Sequence, residues 1–210
     1  MEKFEINENG TLTAYHNDNK DVTEITVPDG VKFIEREAFR KYTKLKYVKF
    51  PDSLENIDRW AFWNDSATTP DLMEYRGITF NPSGNSFKIP EVIDMITNKN
   101  YSHVLEHMLK YPVIFQIYFN DGDNVTTAYI KKNFRKFFIF LVQAVIYQDY
   151  SYKDYISVET ALEIMEKLIK SGKFITKRNI NTYIRLADEK ECYEVFDMLN
   201  EYKETNYGKV

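Results

Sequence analysis

The chain has 210 residues, of which 43% are hydrophobic and 29% charged, and its formal net charge is −4. This balance excludes a disordered chain, and the acidic net charge disfavours general binding to nucleic acid. The lone cysteine, Cys192, excludes an intramolecular disulfide and a cysteine-based zinc finger, and its apolar surroundings predict a buried thiol.

The N-terminal segment MEKFEINENG is acidic and lacks the apolar core of a secretory signal. No window of the sequence approaches the run of about 18 apolar residues that a membrane-spanning helix needs. We therefore expect a cytoplasmic protein that has no membrane partner.

Residues 1–21 are predicted to form a short hairpin around Asn9-Gly10, a dipeptide typical of tight turns. A stack of repeats exposes an apolar cross-section at its end. The hairpin is therefore interpreted as a cap on the repeats that follow.

Two consecutive segments, residues 22–45 and 46–64, repeat the same pattern. Each begins with an alternating strand, continues with Pro-Asp and ends with Ala-Phe. At a constant spacing of 23 residues, the matching pairs are Ile25 and Val48, Val27 and Phe50, Val31 and Leu54, Ile34 and Ile57, and Phe39 and Phe62. A repeat this short cannot enclose a core of its own, so neighbouring copies must bury each other's apolar faces.

A degenerate third copy is predicted at Ile78-Thr79-Phe80, after a polar insertion at residues 64–71. The breaker-rich run NPSGN at residues 81–85 then marks the predicted end of the repeats. We expect one domain over residues 1–85 and a second over residues 86–210.

Beyond residue 86 the hydrophobic period becomes helical. Helices are predicted near residues 89–97, 101–110, 127–147, 158–171, 176–187 and 192–202, with Ser157 as an N-cap. Residues 131–138 also resemble residues 177–184, at a shift of 46. This echo predicts two stacked helix-turn-helix layers.

The pattern V-x-x-I-x-V-P-D-x-V-x-x-I-x-x-x-A-F at residues 22–39, largely repeated at 45–62, resembles the BspA-type leucine-rich repeat of bacterial proteins. The resemblance covers residues 1–85 and implies a right-handed solenoid whose concave face carries one short strand per repeat. It also implies protein binding. Residues 172–203 resemble the degenerate ankyrin-like helix pairs that follow such repeats in proteins of gut Firmicutes.

These patterns together predict an α+β chain. A leucine-rich-repeat solenoid, with a cap, two full repeats and one degenerate repeat, is followed by an all-α, ankyrin-like module. Solenoids typically present surfaces for binding.

The outward side chains of the first two strands are the first candidate site. Glu24, Thr26, Tyr47 and Lys49 alternate with inward apolar residues, and Trp63 is a further anchor by residue type. These residues are predicted to bind a protein partner. The alternative is that this face contacts only the helical module or solvent.

A basic cluster is the second candidate site. It consists of Lys131, Lys132, Arg135 and Lys136 on one predicted helix, with Lys177 and Arg178 on the next layer. Such a cluster could bind phosphate groups of a nucleic acid, or it could be an ordinary solvated helix face.

The motif His103-x-x-Glu106-His107 is the third candidate. On a helix the two histidines would share one face and could hold zinc, with Glu106 as general base. Chance occurrence of this short motif is the alternative, so no metal or cofactor is predicted.

The sequence favours a non-enzymatic protein-interaction module. Two alternatives stay open: a phage or mobile-element inhibitor that occludes a host enzyme, including one that processes nucleic acid, and a zinc hydrolase built on His103, Glu106 and His107.

Overall fold

The structure is a computed structural model that describes residues 2–63, 69–82, 88–106, 108, 110–147 and 155–208. The chain divides into two compact units, Met1–Asp121 and Gly122–Val210. The domain boundary predicted at 85/86 lies outside the described residues. The first unit contains both strands and helices, and the second contains helices.

The predicted N-terminal hairpin is present. Strand β1 (Glu2–Ile6) pairs antiparallel with β2 (Thr11–Asn17). Gly10 closes the turn with a φ of 77°, a conformation that residues with a side chain rarely adopt. Its carbonyl accepts the amide of Lys32 at 2.8 Å, so the turn contacts the first repeat directly.

Gly10→Ala is expected to destabilise the first unit by about 2 kcal/mol, because strain at positive φ adds to a steric clash. A Cβ at this position would lie 2.8 Å from the carbonyl oxygen of Gly30. Gly30→Ala is the matched control, since Gly30 also has a positive φ but open space around it. Urea denaturation measures both variants, and equal losses would show that strain alone acts.

Among the described residues, each of the two full repeats contributes one strand to each of two sheets, and a fifth strand extends the first sheet. The first sheet contains β3 (Glu24–Thr26), β5 (Tyr47–Lys49) and β7 (Leu72–Tyr75), and the second contains β4 (Phe33–Ile34) and β6 (Asn56–Ile57). Successive repeats pair parallel, and β4 also pairs parallel with β2. Parallel pairing between equivalent strands is what a spacing of 23 residues requires.

The apolar residues of each repeat lie directly over those of the next. Ile25, Val48 and Met73 are in register and buried. Phe39 stacks on Phe62, with ring centroids 4.8 Å apart and planes at 9°. Each repeat therefore forms part of the core of its neighbour, as the short period predicts.

The third repeat strand is β7 and not the predicted segment Ile78-Thr79-Phe80. Strand β8 (Ile78–Phe80) pairs antiparallel with β7, and β7 is the parallel neighbour of β5. Arg76 and Gly77 join the two strands with φ values of 49° and 71°, the positive pair that a two-residue hairpin favours. The prediction of a third copy at Ile78-Thr79-Phe80 is therefore wrong.

Two helices complete the first unit. Helix α1 (Ile89–Asn98) is close to the prediction, whereas an α-helix at 101–110 is wrong. A single 3-10 turn, Val104–Glu106, is followed by α2 (Lys110–Asp121). Pro112 lies in the first turn of α2, where backbone N–H groups have no hydrogen-bond acceptor within the helix. The lack of an N–H group in proline therefore loses no helical hydrogen bond, and Pro112 marks the start of a helix rather than its end.

Polar contacts connect these helices to the strands. Gln116 of α2 accepts the amide of Thr79 at 3.0 Å and donates to its carbonyl at 2.6 Å. The hydroxyl of Tyr75 donates to the carbonyl of Leu54 at 2.5 Å and lies 3.0 Å from Thr97 Oγ1 of α1. These bonds satisfy polar groups along the last strands.

The second unit consists of α3 (Asn124–Ile146), α4 (Val158–Lys170), α5 (Ile180–Glu189) and α6 (Tyr193–Tyr207). The predicted N-cap is confirmed, because Ser157 Oγ accepts the amide of Thr160 at 3.1 Å. Cys192 is buried, as predicted, and burial raises the pKa of its thiol. An ankyrin-like arrangement of these helices stays a prediction.

Candidate functional site

The outer side of the sheet that contains β3, β5 and β7 presents two rows of side chains. One row is Glu24, Tyr47 and Leu72, and the other is Thr26, Lys49 and Glu74. We call these six residues the strand face. The inward neighbours Ile25, Val48 and Met73 are buried, which fixes the orientation of the strands.

Glu74 joins Tyr47 and Lys49 into one hydrogen-bonded group. Lys49 Nζ lies 2.8 Å from Glu74 Oε1, and the Tyr47 hydroxyl donates to Glu74 Oε2 at 2.5 Å. The hydrogen bond from Lys49, followed by that from Tyr47, lowers the pKa of the Glu74 carboxyl. Glu74 is therefore ionised at neutral pH and holds both side chains in place.

Leu72 gives the strand face an apolar element. It is directly in register with Tyr47, and 39% of its surface is exposed. Tyr47 is itself half-buried, with its ring held by the bond to Glu74. A tyrosine beside an exposed leucine is a combination suited to anchoring a protein partner.

Four of the predicted partner-binding residues, Glu24, Thr26, Tyr47 and Lys49, are brought together on the strand face. Leu72 and Glu74 were missed, because the sequence places the third strand at Ile78-Thr79-Phe80. The alternation of Met73 and Tyr75 before the turn at Arg76-Gly77 is the signal that identifies β7.

Trp63 is the fifth predicted residue, and the structure separates it from the strand face. It lies between β6 and β7, at the position equivalent to Arg40 in the preceding repeat. The Arg40 guanidinium lies 5.4 Å from the Trp63 ring centroid, and Trp60 packs edge-on at 6.2 Å. Trp63 therefore stacks on the neighbouring repeat instead of extending the row of Tyr47.

The six residues of the basic cluster all belong to the second unit and are exposed. They are Lys131, Lys132, Arg135 and Lys136 of α3 and Lys177 and Arg178 before α5. Within the described part of the chain, none of the six forms an ion pair with a carboxylate within 4.0 Å. The structure thus leaves these cations available to a ligand.

The zinc motif is only partly described, since His107 lies outside the described residues. His103 Nδ1 is 2.9 Å from Glu106 Oε2, and both side chains are exposed. The 3-10 turn at Val104–Glu106 does not supply the helix face on which the prediction depends. Among the described residues, no group of three or more His, Cys, Asp or Glu side chains could hold a metal ion.

Comparison with protein families agrees with the geometry of the repeats. The model of the BspA type leucine-rich repeat region, with six copies, matches residues 11–134, which is more than half of the chain. The chain belongs to the BspA-type leucine-rich-repeat family. No curated protein and no solved structure matches it significantly. In this family member the match extends beyond β8 across α1, α2 and the first half of α3.

Family membership confirms the leucine-rich-repeat part of the prediction, and a helical region follows it. Leucine-rich repeats generally mediate protein–protein interaction. Within the described residues, no helix has the length and apolar character needed to cross a membrane.

Proposed function

We propose that this chain is a non-enzymatic protein-interaction module whose strand face binds a protein partner. The in-register placement of Tyr47, Lys49, Leu72 and Glu74 on adjacent parallel strands carries this proposal. It assembles an aromatic ring, an apolar side chain and two opposite charges within two neighbouring strands. Membership of a family of interaction repeats supports the same role.

The strand face is already ordered before a partner arrives. Immobilising a flexible side chain on binding costs about 0.5–1.5 kcal/mol, and the bonds of Glu74 to Tyr47 and Lys49 reduce that cost. The buried layer of Ile25, Val48 and Met73 holds the strands themselves in place. Preorganisation of this kind favours tight binding over a modest area.

We propose that the strands from β2 to β7 form a short solenoid. Two stacks of parallel strands and the ladder of Phe39 on Phe62 support this interpretation. We infer that the strand face corresponds to the concave surface that the family resemblance implies. A solenoid presents such a surface because each repeat adds one strand to it.

Lys49→Glu is the variant that tests the strand face. The substitution places a second carboxylate beside Glu74 and removes its cation, so we expect at least a tenfold loss of affinity for the partner. Affinity capture from a native lysate supplies the partner, and calorimetry with the purified pair measures the dissociation constant.

Lys41→Glu is the matched control. Lys41 is exposed, lies in the same unit off the strand face, and undergoes the same change of charge. Equal affinities for the two variants would place the binding surface elsewhere. The identity of the captured protein also distinguishes a general interaction module from an inhibitor that occludes a host enzyme.

A further inference from the structure

Two stretches of the second unit carry only positive charges. No acidic residue occurs between Asp123 and Asp149, which includes all of α3, and none occurs between Glu166 and Asp188. Acidic residues are concentrated instead on α4 and α6. The near-zero charge of the unit as a whole conceals this segregation.

Aromatic packing brings the two basic stretches together. Phe134 of α3 stacks on Phe174, with ring centroids 5.2 Å apart and planes at 9°. Tyr183 of α5 packs against Phe134 at 5.2 Å and against Phe138 at 4.8 Å. Lys177 and Arg178 lie between Phe174 and Tyr183 in the chain, so their backbone is held alongside α3.

The electrostatic environment of Tyr183 reports the same proximity. Burial raises the pKa of its hydroxyl, and the positive charge of Arg135 partly opposes that increase. Arg135 of α3 therefore acts on the ring of α5 from nearby. The four cations of α3 and the two before α5 belong to one surface, which we call the basic side.

The lysines of α4 are different from those of the basic side. Lys167 Nζ lies 2.6 Å from Glu163 Oε1, and Lys170 pairs with Glu166. The basic side contains no such pairs among the described residues, although its cations are also exposed. Six like charges that repel each other without internal compensation favour an anionic ligand.

We propose that the basic side, Lys131, Lys132, Arg135, Lys136, Lys177 and Arg178, binds the phosphate backbone of a nucleic acid. This activity is independent of the strand face and is an addition to protein binding. Charge neutralisation of phosphates alone can supply such binding, without contacts to bases.

An acidic protein fits this surface less well. Protein interfaces depend on buried apolar or aromatic anchors near their centre. The large exposed hydrophobic residues described in the second unit are Val125, Tyr147 and Tyr193, and none occurs within residues 131–136 or 177–178. A ligand with regularly repeated charges needs no such anchor, which is the property of a phosphate backbone.

Fluorescence anisotropy with the full chain tests the proposal. The probes are a labelled DNA duplex and a labelled single-stranded RNA of random sequence, titrated at about 50–200 mM KCl. Over this range of salt, a binding constant that depends on phosphate contacts falls by roughly several orders of magnitude. For the DNA duplex, the logarithm of the binding constant is plotted against the logarithm of the salt concentration. Six phosphate contacts at about 0.9 each predict a slope of about −5 for this plot. Comparing the two probes shows whether duplex or single strand is preferred.

Lys132→Gln with Lys136→Gln is expected to reduce the magnitude of the duplex slope by about 2, since two phosphate contacts are lost. Lys167→Gln with Lys170→Gln removes the same charge from α4 and is expected to leave the slope unchanged. Circular dichroism verifies that both double variants are folded. Equal effects of the two pairs, or no binding of either probe at 50 mM KCl, would overturn the proposal.

Polyglutamate of matched charge is the third probe. Nucleic acid is expected to bind at least tenfold more tightly than polyglutamate at equal salt. Equal affinity would indicate an acidic protein as the ligand and would also contradict the proposal.

Discussion

Phe39→Ala is expected to lower the free energy of unfolding of the first unit by about 3–5 kcal/mol. Phe39 is buried, with 1% of its surface exposed, and it connects successive repeats. Its ring stacks on Phe62 at 4.8 Å and lies 6.0 Å from Tyr15 of the hairpin. Truncation removes contacts on both sides and leaves a cavity between the layers.

Tryptophan fluorescence during urea denaturation measures this loss. Both tryptophans of the chain, Trp60 and Trp63, lie in the first unit, so their emission follows the unfolding of that unit. Phe33→Ala is the matched control, because the Phe33 side chain on β4 is 39% exposed. This variant should lower the free energy of unfolding by less than about 1 kcal/mol. Similar losses for the two phenylalanines would contradict the stacking of repeats.

Glu91→Gln is expected to destabilise the first unit by about 3 kcal/mol, because it leaves a buried ammonium without its counter-ion. Lys110 of α2 is 2% exposed, and its Nζ donates to the Glu91 carboxylate of α1 and, at 3.2 Å, to the carbonyl of His103. The pair therefore joins α1 to α2.

Adding Lys110→Met to Glu91→Gln should restore most of that stability. The double variant replaces the buried ammonium of Lys110 by an apolar side chain of similar size and leaves a neutral amide at position 91, so no unpaired charge remains buried. Urea denaturation of the single and double variants makes the comparison. A double variant no more stable than Glu91→Gln would show that the loss does not arise from the unpaired charge of Lys110.

The same pair predicts a pH dependence. Burial of Glu91 alone would raise the pKa of its carboxyl, but the hydrogen bond and charge of Lys110, together with a smaller contribution from Lys88, outweigh it, so the pKa is lowered from 4.5. The folded state then binds fewer protons than the unfolded state, and stability is lost as pH falls below 4.5. Urea denaturation at neutral pH and at about pH 3 measures this dependence. Between these two conditions, the free energy of unfolding should fall less for Glu91→Gln than for the natural chain.

Regular spacing is what made the repeats predictable. Ile25 and Val48 are 23 residues apart and lie in register, so two strands and their outward residues follow from the sequence alone. The turn at Asn9-Gly10 and the N-cap Ser157 also have local signals that tertiary contacts do not override. Glu24, Thr26, Tyr47 and Lys49 were found for this reason.

The error in placing the third repeat strand occurs where the period is interrupted. The insertion at residues 64–71 lengthens the spacing from Tyr47 to Leu72 to 25, which hid β7 and with it Glu74. In α2, Pro112 resembles a helix terminator, although its position in the first turn makes it an initiator. Trp63 was selected by residue type, which contains no information on the face it occupies.

The basic side illustrates a different difficulty. The sequence shows the cations of residues 131–136, but the acidic net charge argues against nucleic acid when the whole chain is averaged. The packing of Phe134 on Phe174 and of Tyr183 on Phe134 brings the two acid-free stretches together, which the sequence alone does not reveal. Segregation of charge in space cannot be read from a sum over the sequence.

Site-specific photo-cross-linking tests the role of the strand face most directly. A photoreactive phenylalanine analogue is placed at Thr26, which is exposed on β3, and in a second sample at Lys41 off the strand face. We expect one protein to be cross-linked at position 26, with little product at position 41. A partner that is cross-linked from position 41 and not from position 26 would contradict recognition through the strand face.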